Sequence, residues 1–160
     1  MQGNQQVIDM LNGALTVELT AINQYFVQAK MCKNWGFEKL AKHEYEESIE
    51  EMKHADKLVQ RVLTLDGLPN LQDIGKLLVG ENVLEILGCD LKAERGAEAH
   101  LKEAIAYCET VRDFVSRGIF TEILVDTEEH VDYLETQIEL AAKVGEQNYL
   151  QSQMAGDDEG

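Results

Sequence analysis

Residues 47–56 read Glu-Ser-Ile-Glu-Glu-Met-Lys-His-Ala-Asp, and within them Glu51 stands three positions before His54. Positions three apart share one face of an α-helix, so these two side chains can reach a single metal ion together. A single Glu-x-x-His match is weak evidence, because this segment carries many other acids that a solvated helix face would also explain. The match gains weight only if the rest of the chain forms a bundle with more ligands.

The chain around this segment is helical in pattern. Apolar residues recur at three- and four-residue steps, and the whole sequence contains one proline, Pro69. The pattern predicts helices at about 7–35, 38–65, 82 to 110–112, 113 or 114 to 143, and 146–153. The four long helices are each roughly 42 Å at 1.5 Å per residue, which favours one bundle. The link around Pro69 is too long for a tight hairpin, so the predicted all-α fold is a four-helix bundle with one long crossover and a short fifth helix.

Composition limits the partners and the compartment. The net charge of −16 repels nucleic-acid backbones and anionic membranes, so neither is an expected partner. The three cysteines are widely spaced and form no C-x-x-C pair, which is typical of free thiols in a reducing compartment. We find no signal peptide and no apolar stretch of membrane length, so we expect a cytoplasmic protein. One domain is expected at 1–154, with a disordered acidic tail at 155–160.

Acids and histidines at inward positions recur on all four long helices. The candidate metal ligands are Glu18 on the first helix, Glu51 and His54 on the second, Glu94 on the third and His130 on the fourth. A di-iron carboxylate bundle uses one glutamate from each of two helices and a Glu-x-x-His pair from each of the other two. The fourth helix departs from this pattern, because Thr127 stands where the glutamate belongs.

A second candidate site surrounds Met52, which lies about 100° round the helix from Glu51. The neighbouring stripes are Tyr45 and Ile49 on the second helix, and Leu19, Ile22, Asn23 and Phe26 on the first. Together they predict an outward, largely apolar patch suited to a two-fold partner. A thioether in such a patch can ligate haem iron, although spacing alone favours Met52 as an interface hydrophobe.

Several strings of this sequence resemble bacterioferritin, and they cover nearly the whole chain without a shift in register. They are Glu-Leu-Thr-Ala-Ile-Asn-Gln-Tyr-Phe at 18–26, Met-Cys-Lys-Asn-Trp-Gly at 31–36, the stretch 47–56, Gly-Leu-Pro-Asn-Leu-Gln at 67–72 and Gln-Asn-Tyr-Leu-Gln-Ser-Gln-Met at 147–154. The resemblance implies a ferritin-like cage of two dozen subunits that stores and detoxifies iron inside the cell as a ferric mineral core. It implies haem b at two-fold interfaces, held by Met52 of both subunits.

The same resemblance implies a ferroxidase centre that oxidises iron(II) with dioxygen. Its ligands would be Glu18, Glu51, His54, Glu94, position 127 and His130. Family members often have histidine at 46 and aspartate at 50 on the inner surface, where this chain has Glu46 and Glu50, which remain possible oxygen ligands.

Thr127 is the most informative departure, since a glutamate at this position bridges both irons in the family. Some organisms build mixed cages in which one subunit type keeps the ferroxidase residues and the other keeps the haem methionine. Met52 together with Thr127 resembles the second type. The implied partners are therefore further copies of this chain or a ferroxidase-competent subunit, iron(II) and a ferredoxin.

Three alternatives stay open on the sequence. A fully active ferroxidase would need another ligand, but Glu128 and Glu129 sit about 100° and 200° round the helix from position 127. The predicted fifth helix and the Glu51/His54 pair inside the bundle both argue against a DNA-protecting mini-ferritin. A rubrerythrin-like protein would need a four-cysteine iron site. The string from His43 to Glu47 also fails as a zinc-protease motif, because it lacks the second histidine.

Overall fold

The computed structural model describes residues 1–154 and shows five α-helices. They are α1 (Gln5–Asn34), α2 (Glu38–Thr64), α3 (Val83–Thr110), α4 (Phe114–Val144) and α5 (Glu146–Ser152). Every predicted boundary lies within two residues of the observed one, and the predicted all-α class is confirmed. The predicted acidic tail, 155–160, lies outside the described residues.

Local signals place the helix ends. Asn4, Asn82 and Asp113 cap α1, α3 and α4, each accepting a hydrogen bond from a backbone N–H in the first turn at 2.9–3.1 Å. Gly36 ends the turn after α1 with φ +92°, and Gly145 separates α4 from α5 with φ +89°. Both φ values lie in the region that glycine adopts without a steric cost.

The helices form two hairpins, α1 against α2 and α3 against α4, which pack together into one bundle. Two apolar clusters fill its two ends. One is centred on Leu11, Leu58 and Phe120, and the other on Leu40 and Leu134. The buried acids and histidines lie between these clusters, halfway along the helices.

The segment that joins α2 to α3 runs along α1, as a crossover of the bundle's length requires. Five hydrogen bonds fix it to side chains of Asn12, Thr20, Gln24 and Gln28. The partners are the Leu68 carbonyl and the backbone N–H groups of Asn70, Gly75, Leu78 and Gly80, at 2.7–3.1 Å. The predicted long crossover is therefore confirmed. Within residues 1–154, none of the helices has an apolar stretch of the length that a bilayer crossing needs.

Candidate metal centre

Glu18, Glu51 and His54 converge in the middle of the bundle, and we call them the α1–α2 group. All three side chains are buried. The Nδ1 atom of His54 lies 3.6 Å from Glu18 Oε1 and 3.4 Å from Glu51 Oε2. One donor atom from each residue lies within 4.8 Å of the others, so the group can close around one metal ion.

Asp126 on α4 orients the histidine of this group. Its Oδ2 atom lies 2.7 Å from His54 Nε2, on the side of the ring away from Glu18 and Glu51. Metal-binding histidines commonly donate their second ring N–H to a carboxylate in this way. Burial lowers the pKa of His54, but hydrogen bonds and charge attraction from Glu18 and Asp126 outweigh burial and raise that pKa to about 9. The metal-free imidazole is therefore protonated at neutral pH.

Glu94 and His130 form the facing half of the centre. His130 Nδ1 lies 3.0 Å from Glu94 Oε1, and the hydroxyl of Tyr25 donates to the same oxygen at 2.5 Å. Burial raises the pKa of Tyr25, and the negative charge of Glu94 raises it further, so the phenol keeps its proton and remains a donor. Glu94 is thus held in place by two donors before any metal arrives.

Thr127 is buried three residues before His130 on α4, and its hydroxyl is occupied by its own helix. Its hydroxyl donates to the carbonyl of Ile123, one turn earlier in α4, at 2.9 Å. The next two residues, Glu128 and Glu129, are exposed, as their rotation round the helix predicts. The fourth helix therefore supplies His130 to the centre without a carboxylate at position 127.

A cavity of about 270 Å³ opens beside the ligands between α2 and α4. It is lined by His43, Glu47, Glu50, Glu51, Glu129 and Tyr133 among others. Of the two additional acids predicted as possible ligands, Glu50 reaches this cavity. Glu46 does not line it and pairs with Lys42 at 4.0 Å on the surface.

The sequence interpretation missed a second cluster of possible ligands, which we call the α2–α4 group: His43, Glu47 and His130. One donor atom from each lies within 4.8 Å of the others. Burial lowers the pKa of His43 to about 4, helped by the charge of His130. Burial raises the pKa of Glu47 to about 7. The four-residue spacing of His43 and Glu47 was the only sign of this cluster in the sequence. It was not sufficient, because the third residue, His130, is on another helix.

Four buried polar side chains form a network around Asp90, which lies one turn before Glu94 on α3. The amide of Gln28 donates to Glu44 at 3.0 Å and to Asp90 at 2.7 Å, and the amide of Gln24 donates to Asp90 at 3.0 Å. Burial raises the pKa of Glu44 well above its ordinary value, and the Asp90 carboxylate raises it further. This network links α1, α2 and α3 to the crossover at the height of the metal centre.

The predicted apolar patch around Met52 lies on the outer face of α1 and α2. Met52 is 53% exposed, and Phe26, Tyr45 and Ile49 are exposed beside it. Leu19 and Ile22 are partly buried, with one side packed on the core. Asn23 is exposed and donates to the Leu19 carbonyl. Met52, Ile49 and Leu19 line a concavity of about 720 Å³, so the thioether stands at a large apolar recess.

A helical bundle with one long crossover and glutamates and histidines converging at its centre defines the ferritin-like class. The ferritin-like domain family matches residues 8–144. Bacterioferritin of Brucella melitensis is 48% identical over 99% of both chains. That of Rhodobacter capsulatus is 49% identical over 93% of this chain and 92% of its own. That of Mycobacterium tuberculosis is 48% identical over 93% of this chain and 94% of its own.

The chain belongs to the bacterioferritin family, which confirms the resemblance found in the sequence. Proteins of this family store iron in oligomeric cages, and membership supports the same role and the same kind of assembly here.

Proposed function

We propose that this chain is a cytoplasmic iron-storage cage subunit that binds haem b through Met52 and whose di-iron ferroxidase centre is degraded at Thr127. The observation that carries the proposal is the hydrogen bond from the Thr127 hydroxyl to Ile123, at 2.9 Å, inside an otherwise assembled ligand set. Iron(II) is the substrate and cargo of this centre.

Charge explains why the loss of one carboxylate matters. Two iron(II) ions carry four positive charges, and Glu18, Glu51 and Glu94 together offset three. A glutamate at position 127 would supply the fourth and would bridge the two ions. The α1–α2 group keeps two carboxylates and an oriented imidazole, so it binds one iron(II). The second position, at Glu94 and His130, loses its bridging ligand and fills weakly.

The test is Thr127→Glu, with iron(II) oxidation followed by stopped-flow absorbance in the aerobic, iron-free assembly. We expect the substitution to speed oxidation by roughly tenfold or more, because even the outer-shell partners of a bound metal change activity by roughly 10- to 100-fold. Thr121→Glu is the matched control, since Thr121 is exposed on the same helix and away from the centre. Equally rapid oxidation by the unaltered chain and Thr127→Glu would favour the alternative, a fully active ferroxidase.

The surface around Met52 fits haem. A porphyrin needs a large apolar slot and an iron ligand at its centre, and Met52 supplies a thioether at the rim of an apolar recess. Leu19, Ile22 and Phe26 on α1 would contact one side of the macrocycle. Tyr45 and Ile49 on α2 would contact it beside Met52, and Asn23 would lie at the polar edge. When bound, haem would supply one-electron transfer, and these residues would hold it in place.

Met52→Leu tests the haem proposal. Two methionine ligands should give a low-spin absorption spectrum, and the substitution should abolish it while assembly is unchanged. Met154→Leu is the control, because Met154 is equally exposed but lies away from the recess. Retention of the low-spin spectrum by Met52→Leu would place the iron ligand elsewhere.

The cage contains copies of this chain alone or copies mixed with a second, ferroxidase-competent subunit, and a ferredoxin serves as electron partner for iron release. Size-exclusion chromatography should show a species far larger than the 18.0 kDa monomer. Co-purification from the native cells, followed by mass spectrometry, identifies any second subunit. The cytoplasmic location is supported by the three free cysteines, Cys32, Cys89 and Cys108.

A further inference from the structure

The α2–α4 group places two imidazoles and one carboxylate around a common point. His43 and Glu47 are four residues apart on α2 and therefore share one helix face. Glu47 lies between the two histidines, with Oε1 3.8 Å from His43 Nε2 and Oε2 3.4 Å from His130 Nδ1. Two ligand atoms at about 2.1 Å from one ion are roughly 3.0 to 3.5 Å apart, so small side-chain movements close this group around a cation.

Unsatisfied nitrogens point to a missing ligand. Within residues 1–154, the Nε2 atom of His43, which lies 3.8 Å from Glu47, is buried and has no hydrogen-bond partner. The Nε2 atom of His130 is also buried and unpartnered, whereas its Nδ1 atom, which faces Glu47, already contacts Glu94 at 3.0 Å. His130 is only 4% exposed as a side chain, so water does not freely compensate. Buried polar atoms are normally hydrogen-bonded, and each exception requires a reason such as an absent ion. The rings are also held in place, since His43 stacks on Tyr133 with centroids 4.0 Å apart.

Two histidines with one carboxylate form a ligand set of defined chemistry. Imidazole and carboxylate together suit iron(II) and zinc(II), and a three-ligand set leaves positions open for water. Glu94 Oε1 lies 3.0 Å from His130 Nδ1 and can supply a fourth oxygen. The cavity between α2 and α4 gives an ion a route to these atoms.

We propose that His43, Glu47 and His130 bind one divalent transition-metal ion, iron(II) in the cell, beside the ion bound by Glu18, Glu51 and His54. This inference rests on the proposed function in one respect: with glutamate at position 127, His130 would be held by the di-iron centre. Without that glutamate, His130 can share an ion with the residues on α2, since its Nδ1 lies 3.4 Å from Glu47 Oε2. The second ion is thereby displaced toward the cavity, away from the bridging position that rapid oxidation requires.

The test uses zinc(II), which does not react with dioxygen, on the full-length assembly freed of metal. Zinc bound per subunit is measured by equilibrium dialysis, and its position by anomalous diffraction from zinc-soaked crystals. We expect two zinc ions per subunit, one in each group. His43→Phe keeps the ring stacked on Tyr133 but removes the nitrogen, so it should bind one zinc, in the α1–α2 group. His100→Phe, a histidine outside both groups, should still bind two.

Glu47→Gln is a second variant of the same volume, and it should also lose the zinc of the α2–α4 group. Two zinc ions in both His43→Phe and Glu47→Gln, or an anomalous peak at Glu51 and Glu94 with none beside His43, would overturn the inference. The proposed function fails separately, if Thr127→Glu leaves the oxidation rate unchanged. Loss of one zinc from His43→Phe would then still establish the site.

Discussion

The two halves of the metal centre differ in how completely their ligands are supported. In the α1–α2 group, His54 contacts carboxylates with both ring nitrogens, Glu18 and Glu51 on one side and Asp126 on the other. In the facing half, His130 has one nitrogen without a partner among residues 1–154, and Thr127, one turn earlier on α4, bonds to its own helix. Two halves of one candidate site can therefore be supported unequally on the same bundle, with carboxylates on both sides of His54 and a hydroxyl turned to its own helix at position 127.

Glu51→Gln should have the largest effect on this comparison. Glu51 belongs to the intact group and is the carboxylate nearest His54 Nδ1, at 3.4 Å. A neutral amide of the same shape removes charge without removing volume, so zinc affinity at the α1–α2 group should fall roughly 100-fold or more. Isothermal titration calorimetry measures this, with Glu46→Gln on the exposed face of α2 as control. An unchanged zinc affinity would show that the α1–α2 group is not the better-supported half of the centre.

Asp126→Asn should weaken the same half less. Asp126 does not point at the metal position but orients His54 through Nε2 at 2.7 Å. Loss of such an orienting carboxylate costs between roughly 10- and 100-fold in metal affinity. Zinc bound by His43, Glu47 and His130 should be unaffected, which sharpens the contrast between the groups. Glu122→Gln, one turn earlier on α4, is the control. An equal loss of zinc affinity in this variant would show that the effect comes from general surface charge and not from the orientation of His54.

The pH dependence of zinc binding should follow the proton on His54. Its pKa is raised to about 9, so below that pH a metal ion must displace a proton to reach Nδ1. The zinc affinity of the α1–α2 group should therefore rise about tenfold per pH unit between 7 and 9 and level off above 9. Titrations in His43→Phe isolate this group. A flat profile across that range would mean that His54 is already neutral at pH 7.

Tyr25→Phe should have the smallest effect. The substitution removes one of the two donors to the buried Glu94 carboxylate. Loss of a hydrogen bond to a charged buried group should reduce the free energy of unfolding of the metal-free protein by about 1–3 kcal/mol per subunit. Thermal unfolding measures the change. Tyr107→Phe is the control, because the Tyr107 hydroxyl makes only a long, exposed contact with Asn4 at 3.5 Å. An equally large loss of stability in Tyr107→Phe would show that the hydrogen bond to Glu94 is not the cause.

Features carried by local spacing were predictable from the sequence. Helical periodicity and cap residues such as Asn82 located the helix ends, and the three-residue step placed Glu51 and His54 on one face. The contact of Asp126 with His54 was not predictable, because it depends on the rotation of α4 relative to α2. The same holds for His43 and His130, which are 87 positions apart and meet only once both helices are packed. Spacing along one helix says nothing about that rotation.

Gln24 and Gln28 impose a restriction on this chain that concerns substitution rather than metal. Each amide both donates and accepts: Gln24 and Gln28 donate to Asp90, Gln28 donates to Glu44 as well, and both accept from a backbone N–H of the crossover. A carboxylate cannot donate a hydrogen bond, and an aliphatic side chain can neither donate nor accept one. These two positions therefore tolerate essentially only a side-chain amide. An engineer who redesigns the crossover would need to treat both glutamines as fixed connectors. Other crossover positions could then vary as long as the N–H groups still met those two oxygens, but Gly80 is fixed too, because a Cβ there would overlap the backbone nitrogen of Ile86.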